Sequence, residues 1–108
     1  MIIGVGVDTV EISRIEQSIQ IEHFIHSVFT EGEIKNEHGN RAEYYATRFA
    51  CKEAVFKALN RKLDFRTIET LNHEDGSPYV VNRYDVKNIL ISITTEAGLA
   101  TAFCVIEN

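Results

Sequence analysis

Apolar positions along the first half of the chain follow two different rhythms. Ile3, Val5 and Val7 alternate with Gly4 and Gly6, which predicts a strand with one bulky face and one bare face. The bare face lets another element approach the backbone closely. Asp8-Thr9-Val10-Glu11 carries an acidic cap with a Glu three residues on, and so predicts a helix start. In the helix that follows, Ile12, Ile15 and Ile19 share one face and leave Glu11, Arg14 and Gln17 on others. A short apolar stretch from His23 to Phe29 leads into Thr30-Glu31-Gly32-Glu33, a capping-box pattern that opens a brief helix for Gly39 to end. Asn40 with Glu43 starts the main helix, and Asn60 is its left-handed terminator.

The second half changes period. Thr67 to Leu71 and Pro78 to Val81 flank His73-Glu74-Asp75-Gly76-Ser77, a turn signal that predicts a hairpin. Pro78 falls at a strand start, where a missing N–H is tolerated. Ile89 to Thr94 and Leu99 to Ile106 form a second strand pair around Glu96-Ala97-Gly98. An N-terminal strand and helices followed by antiparallel hairpins predict an α+β fold, and 108 residues without linker, repeat or low-complexity segment predict one domain over residues 1–108.

The main helix has an unusual distribution of charge. Tyr45, Phe49, Phe56 and Leu59 make one apolar stripe, and Ala46, Ala50 and Ala54 line an adjoining face of small residues. Lys52 falls near the centre of the apolar stripe, where it must snorkel or meet an anion. Glu53 and Lys57 stand one turn apart on the small-residue side, where the alanines leave room for something bulky.

Composition narrows the reading. The net charge of −5 argues against a general nucleic-acid binder, which needs a basic surface to neutralise phosphates. Six of the eleven basic residues nevertheless fall between positions 48 and 66, namely Arg48, Lys52, Lys57, Arg61, Lys62 and Arg66, a local concentration suited to phosphates. No apolar run reaches a membrane span and the N-terminus lacks the features of a signal peptide, so a cytoplasmic protein with no membrane partner is expected. Cys51 and Cys104 match neither a metal spacing nor a disulfide framework and are expected in the core, whereas His23, His26, His38 and His73 are expected at the surface or in loops.

Two segments together carry a resemblance. Gly6-x-Asp8 followed by Glu11 and Arg14-Ile15, and Arg48-Phe49-Ala50-x-Lys52-Glu53-Ala54 followed by Lys57, resemble the two signatures of the holo-acyl carrier protein synthases, which are 4′-phosphopantetheinyl transferases. A weaker likeness runs on through Phe29-Thr30-x-x-Glu33, Gly76-x-Pro78 and Ser92-Ile93-Thr94, so it spans the whole chain. The resemblance implies Mg²⁺ held by Asp8 and Glu53, coenzyme A as co-substrate and an acyl carrier protein as partner. Its serine would receive the phosphopantetheine arm, with release of 3′,5′-ADP. It further implies Glu53 as the base, Lys57 facing the leaving phosphate, and Arg48, Lys52 and Lys62 among the groups that bind coenzyme A. Arg14 corresponds to the family's docking arginine, and a homotrimer with sites between subunits is implied as well.

The chain departs from the family pattern at three places. The glycine-rich turn after the main helix is replaced by a shorter Asn60-Arg61-Lys62-Leu63, the histidine position after the Ser92 strand holds Thr95, and Ser77 stands where a Lys is usual. Two readings fit these residues. One is an active transferase with an altered outer pocket. The other is a non-catalytic relative that binds a carrier protein or acts as an oligomeric module.

Overall fold

The computed structural model describes residues 1–108. Its longest helix, α4 (Arg41–Leu59), lies across a three-stranded antiparallel sheet in the order β1 (Ile2–Glu11), β5 (Leu99–Glu107), β4 (Asn88–Glu96). Small residues meet small residues at that junction. Ala46, Ala50 and Ala54 of α4 pack on Ala100, Ala102 and Cys104 of β5, all fully buried. The bare face of β1 meets the same helix. A Cβ at Gly6 would stand 2.8 Å from the Ala58 backbone nitrogen and 3.0 Å from Lys57 Cβ, so glycine is what allows β1 to lie against α4 at all.

The other side of α4 is aromatic. Tyr45 packs on Phe29 with ring centroids 4.6 Å apart, and Phe65 lies 5.4 Å from Phe49 and 5.6 Å from Phe56. Phe29 caps the end of one short helix, α2 (Glu22–Val28), which stands in the chain between two others, α1 (Ile12–Ser18) and α3 (Glu31–Lys35), and Phe65 follows α4 in a 3₁₀ turn. The hairpin β2 (Thr70–Asn72) and β3 (Pro78–Val80) forms a separate two-stranded sheet. The result is the expected α+β arrangement of an N-terminal strand, helices and antiparallel strands.

Several expected details hold. Thr30 and Glu33 complete a capping box, with the Glu33 N–H donating to Thr30 Oγ1 at 3.1 Å and the Thr30 N–H to Glu33 Oε1 at 2.9 Å. Asn40 caps α4 by accepting from the Glu43 N–H at 2.9 Å. Asn60 is left-handed at φ 57° and ends the helix. Both cysteines are buried, all four histidines are exposed, and Pro78 opens β3.

Other expectations are corrected. No helix starts at Asp8: β1 continues to Glu11, because Thr9 and Glu11 pair with Thr101 and Leu99 of β5, and α1 begins at Ile12 without a side-chain cap. The apolar stretch from His23 to Phe29, for which no element is expected, is mostly helical, since α2 spans Glu22–Val28. Helix α3 ends at Lys35 with Asn36 as its C-cap, short of Gly39, which at φ 68° lies in the loop before the Asn40 cap. Thr67 belongs to a 3₁₀ turn, Phe65–Thr67, started by Asp64 accepting from the Arg66 N–H, so β2 is displaced to Thr70–Asn72.

The sheet face turned away from α4 is uncovered. Ile3, Val5, Val7, Leu90 and Phe103 stand on it about half exposed, with Val7 opposite Phe103 in the β1–β5 ladder. No helix of the structure is long and apolar enough to cross a membrane.

Candidate active site

The close packing of β1 on α4 determines what meets at its end. Two residues beyond Gly6, Asp8 shares the inward face of β1. Its carboxylate Oδ1 accepts from Lys57 Nζ at 3.3 Å, and the same ammonium donates to the Val7 carbonyl at 3.0 Å. One turn before Lys57 on the helix, Glu53 Oε1 accepts from Lys62 Nζ at 2.8 Å. Both carboxylates are largely shielded, at 17% and 20% side-chain exposure, whereas both lysines are more than half exposed. Burial raises the Asp8 pKa above the ordinary aspartate value. The Lys57 hydrogen bond and charge oppose that rise, and the charge of Glu53 adds to it. The two carboxylates thus feel one another across the β1–α4 junction.

The turn after α4 brings Lys62 back. The Arg61 N–H donates to the Phe56 carbonyl and the Asn60 N–H to the Lys57 carbonyl, each at 3.1 Å, which is a Schellman ending around left-handed Asn60. The chain reverses over the helix end. Lys62 then lies over the rings of Phe56 and Phe65, at 5.7 and 4.8 Å from their centroids, with its ammonium on Glu53. Those two backbone N–H groups are spent on the helix end. Side-chain cations, Arg61 and Lys62, stand here in place of the missing glycine-rich loop. An open cleft of about 290 Å³ results, lined by Glu53, Phe56, Lys57, Asn60, Arg61 and Lys62.

Lys52 is elsewhere, which corrects its expected place among the coenzyme A ligands. It is fully buried, with Nζ 2.7 Å from Glu33 Oε1 and donating to the carbonyls of Phe65, at 3.0 Å, and Ile68. Burial pushes its pKa down, and the Glu33 carboxylate opposes the shift. Glu33 is held in turn by the N–H groups of Thr30 and Thr70, the latter at 2.8 Å. The charge in the apolar stripe is paired inside the protein, as a tie between α3, α4 and β2.

Arg48 lies one turn before Lys52 and is 5% exposed. Its guanidinium stacks 4.1 Å above the Tyr44 ring and donates to Asn72 Oδ1 and, at 3.0 Å, to Thr47 Oγ1. Its Nε has no partner in the protein. A second cleft of about 220 Å³ opens beside it, lined among others by His38, Asn40, Glu43 and Thr47. Thr95 meets this region from β4, where its hydroxyl donates to Glu43 Oε1 at 2.8 Å. Arg14 stands exposed on α1, near enough for its charge to bear on Asp8.

Nowhere do three or more His, Cys, Asp or Glu side chains gather as a metal cage. Mg²⁺ does not require one, because it keeps several waters and commonly takes one or two carboxylates plus substrate phosphates. Asp8 and Glu53, two shielded oxygen donors from separate elements, fit that demand.

Sequence reasoning did not single out three participants here. The sequence pattern marks Asn60 as a helix terminator, Arg61 as one member of a basic run, and Glu33 as a cap. Each has a further role that only the folded chain brings together.

The fold and cleft define a small α+β domain in which two carboxylates and several cations converge, the donor set of transfer reactions at phosphate. Comparison with known proteins agrees with that class. The profile of the 4′-phosphopantetheinyl transferase superfamily matches residues 4–104. The chain is 46% identical over 112 residues to a holo-[acyl-carrier-protein] synthase of Thermodesulfovibrio yellowstonii, covering 98% of this chain and 99% of that protein. It is 39% identical over 121 residues to the corresponding Fusobacterium nucleatum protein, with the same coverage. Among solved structures, a Bacillus anthracis holo-(acyl-carrier-protein) synthase in complex with CoA (3′,5′-ADP) superimposes with a TM-score of 0.89 at 33% identity, over 100% of this chain and 98% of that one. The Neisseria meningitidis synthase superimposes with a TM-score of 0.91 at 26% identity, over 100% of both chains. The chain belongs to the 4′-phosphopantetheinyl transferases and, within them, to the holo-acyl carrier protein synthases.

Proposed function

We propose that this protein transfers the 4′-phosphopantetheine arm of coenzyme A to a serine of an apo-acyl carrier protein with Mg²⁺ as cofactor, releasing 3′,5′-ADP. The observation that carries the reading is the convergence of Asp8 and Glu53 with Lys57 and Lys62 where β1 crosses α4. Asp8 and Glu53 would hold the metal, which when bound would supply charge neutralisation at the diphosphate and polarise the phosphorus under attack.

The residues divide the remaining work. Glu53, directly or through water, takes the proton of the serine hydroxyl as its oxygen bonds to the phosphorus bearing the pantetheine arm. The diphosphate P–O bond to the adenosine side breaks, and the electron pair leaves with 3′,5′-ADP. Lys57, anchored on the Val7 carbonyl, faces that phosphate and offsets its charge, while Lys62 adds a second cation. Arg48, with an unpartnered Nε beside a cleft, offers a further phosphate contact on coenzyme A. Arg14, exposed on α1, meets the acidic surface of the carrier protein and gives an acidic enzyme a local basic contact for it.

The uncovered sheet face of Val5, Val7, Leu90 and Phe103 supports the homotrimer reading. Apolar side chains set side by side on an otherwise solvated sheet favour burial against further copies. Neighbouring subunits would then complete the coenzyme A pocket.

The test is the intact mass of an apo-acyl carrier protein after incubation with this protein, coenzyme A and Mg²⁺, with a chelator control. A chelator-sensitive gain of one phosphopantetheine arm is expected. No gain across several carrier proteins, with the enzyme shown to be folded, would favour the non-catalytic relative.

A further inference from the structure

Both carboxylates at the β1–α4 junction are already occupied, each by a lysine that lines the cleft. Asp8 has Lys57 at 3.3 Å and Glu53 has Lys62 at 2.8 Å. The two lysines are not equivalent. Lys57 also donates to the Val7 carbonyl, so it keeps an anchor if Asp8 is taken. Lys62 has Glu53 as its polar partner, while its ammonium end lies over the rings of Phe56 and Phe65. Those rings would keep the ammonium above the cleft once the carboxylate is engaged elsewhere.

We propose that Lys62 is an exchangeable counter-ion. It holds Glu53 in the ligand-free chain, yields it to the divalent cation, and turns its freed ammonium to a phosphate of the nucleotide. The proposal rests on the metal and coenzyme A reading given above. Charge bookkeeping supports the exchange. Two carboxylates pair with two lysines, and Arg61 in the same cleft adds a third cation; a divalent cation added alone deepens that excess of positive charge, and a polyphosphate offsets it. Metal alone therefore binds against Lys62, and nucleotide alone finds Lys62 engaged. Each ligand improves the site for the other, a reciprocal coupling that follows from linkage. The shortened turn is what makes this possible, since left-handed Asn60 returns the chain over the helix end and places a lysine nine residues after Glu53 directly upon it.

Substituting Lys62 should therefore move two affinities in opposite directions, which a residue that only packs, or only attracts substrate, would not do. The probe is Mn²⁺ followed by electron paramagnetic resonance, titrated alone and then with 3′,5′-ADP. Because an exposed ion pair is a weak competitor, Lys62→Ala is expected to bind Mn²⁺ alone about threefold more tightly. Losing a charge-assisted contact, the same variant is expected to bind 3′,5′-ADP in saturating Mn²⁺ about tenfold more weakly. Lys62→Arg should restore most of both values. Unchanged or weakened Mn²⁺ binding by Lys62→Ala, or unchanged nucleotide binding, overturns the exchange. Glu53→Gln separates the two levels. Saturable Mn²⁺ binding that Glu53→Gln abolishes and Lys62→Ala leaves alone sinks the exchange and spares the metal site, whereas absence of saturable binding by the native chain sinks both.

Discussion

Lys52 Nζ lies 2.7 Å from Glu33 Oε1, and neither side chain is accessible to solvent. The pair holds α4 against α3 and β2 while Glu53, the next residue, reaches the cleft from an adjoining face of the helix. Such a pair need not add stability over an apolar replacement, but breaking it strands a charge. Lys52→Met is expected to destabilise the fold by roughly 3–5 kcal/mol, because Glu33 stays behind without its cation. Urea denaturation of the variant against the native protein checks this; a loss below about 1 kcal/mol would mean that Glu33 finds water or a proton.

Gly6→Ala tests the approach of β1 to α4. The added Cβ would meet backbone atoms of Ala54 and Ala58, which cannot rotate aside. Strand and helix must separate, at a cost of about 1–3 kcal/mol from overpacking. Transfer should fall further than stability alone explains, because Asp8 rides on the displaced strand. Thermal denaturation beside a transfer assay at a temperature where the variant is folded separates the two effects.

Glu53→Ala should do the reverse. The pair it loses, with exposed Lys62, contributes at most about 1 kcal/mol, so the circular dichroism spectrum and thermal midpoint should change little. Transfer is expected to fall by on the order of 10² to 10⁴, the usual contribution of a general base. An unfolded variant would make Glu53 a structural residue instead.

Alkaline pH should weaken the fold through its two thiols. Burial pushes Cys51 up to about 12 and Cys104 up to about 11, from an ordinary 9.0. A raised pKa means that the folded chain keeps a proton the unfolded chain gives up. The contribution is therefore intact below pH 9 and is lost progressively above it, at about 1.4 kcal/mol per pH unit for each thiol, until pH reaches about 11 for Cys104 and about 12 for Cys51. Denaturation midpoints at pH 8 and pH 10 should differ less for Cys51→Ala, Cys104→Ala than for the native protein. Equal differences would show that the thiols do not titrate in this way.

What the sequence disclosed was mostly local. Gly4 and Gly6 between bulky neighbours mark a face open to close approach, whereas the alanines at one-turn spacing, which suggest room for something bulky, are instead covered by the small residues of β5. Thr30 with Glu33 and left-handed Asn60 marked helix ends with residue types that only a few conformations use. The misses were long-range. Strand β1 extends to Glu11 because of partners some ninety residues away on β5, which outweigh the cap signal at Asp8. Helix α2 has no side-chain cap, so its apolar spacing gave no boundary. At Glu33 the capping role accounted for one carboxylate and concealed its second engagement, with Lys52 and Thr70. Asp8, Glu53, Lys57 and Lys62 were named from the sequence; that Lys62 would sit upon Glu53 depended on how the turn between them closes.

That turn has a consequence for binding entropy. Asn60 is fixed by the helix ending, Arg61 lies 5.7 Å from the Tyr84 ring, Lys62 lies over two phenyl rings, and Asp64 caps the 3₁₀ turn that follows. A glycine-rich loop would surrender its freedom when it wrapped a phosphate. Here the backbone is ordered as the chain folds, so an arriving nucleotide has only the ends of two long side chains left to immobilise.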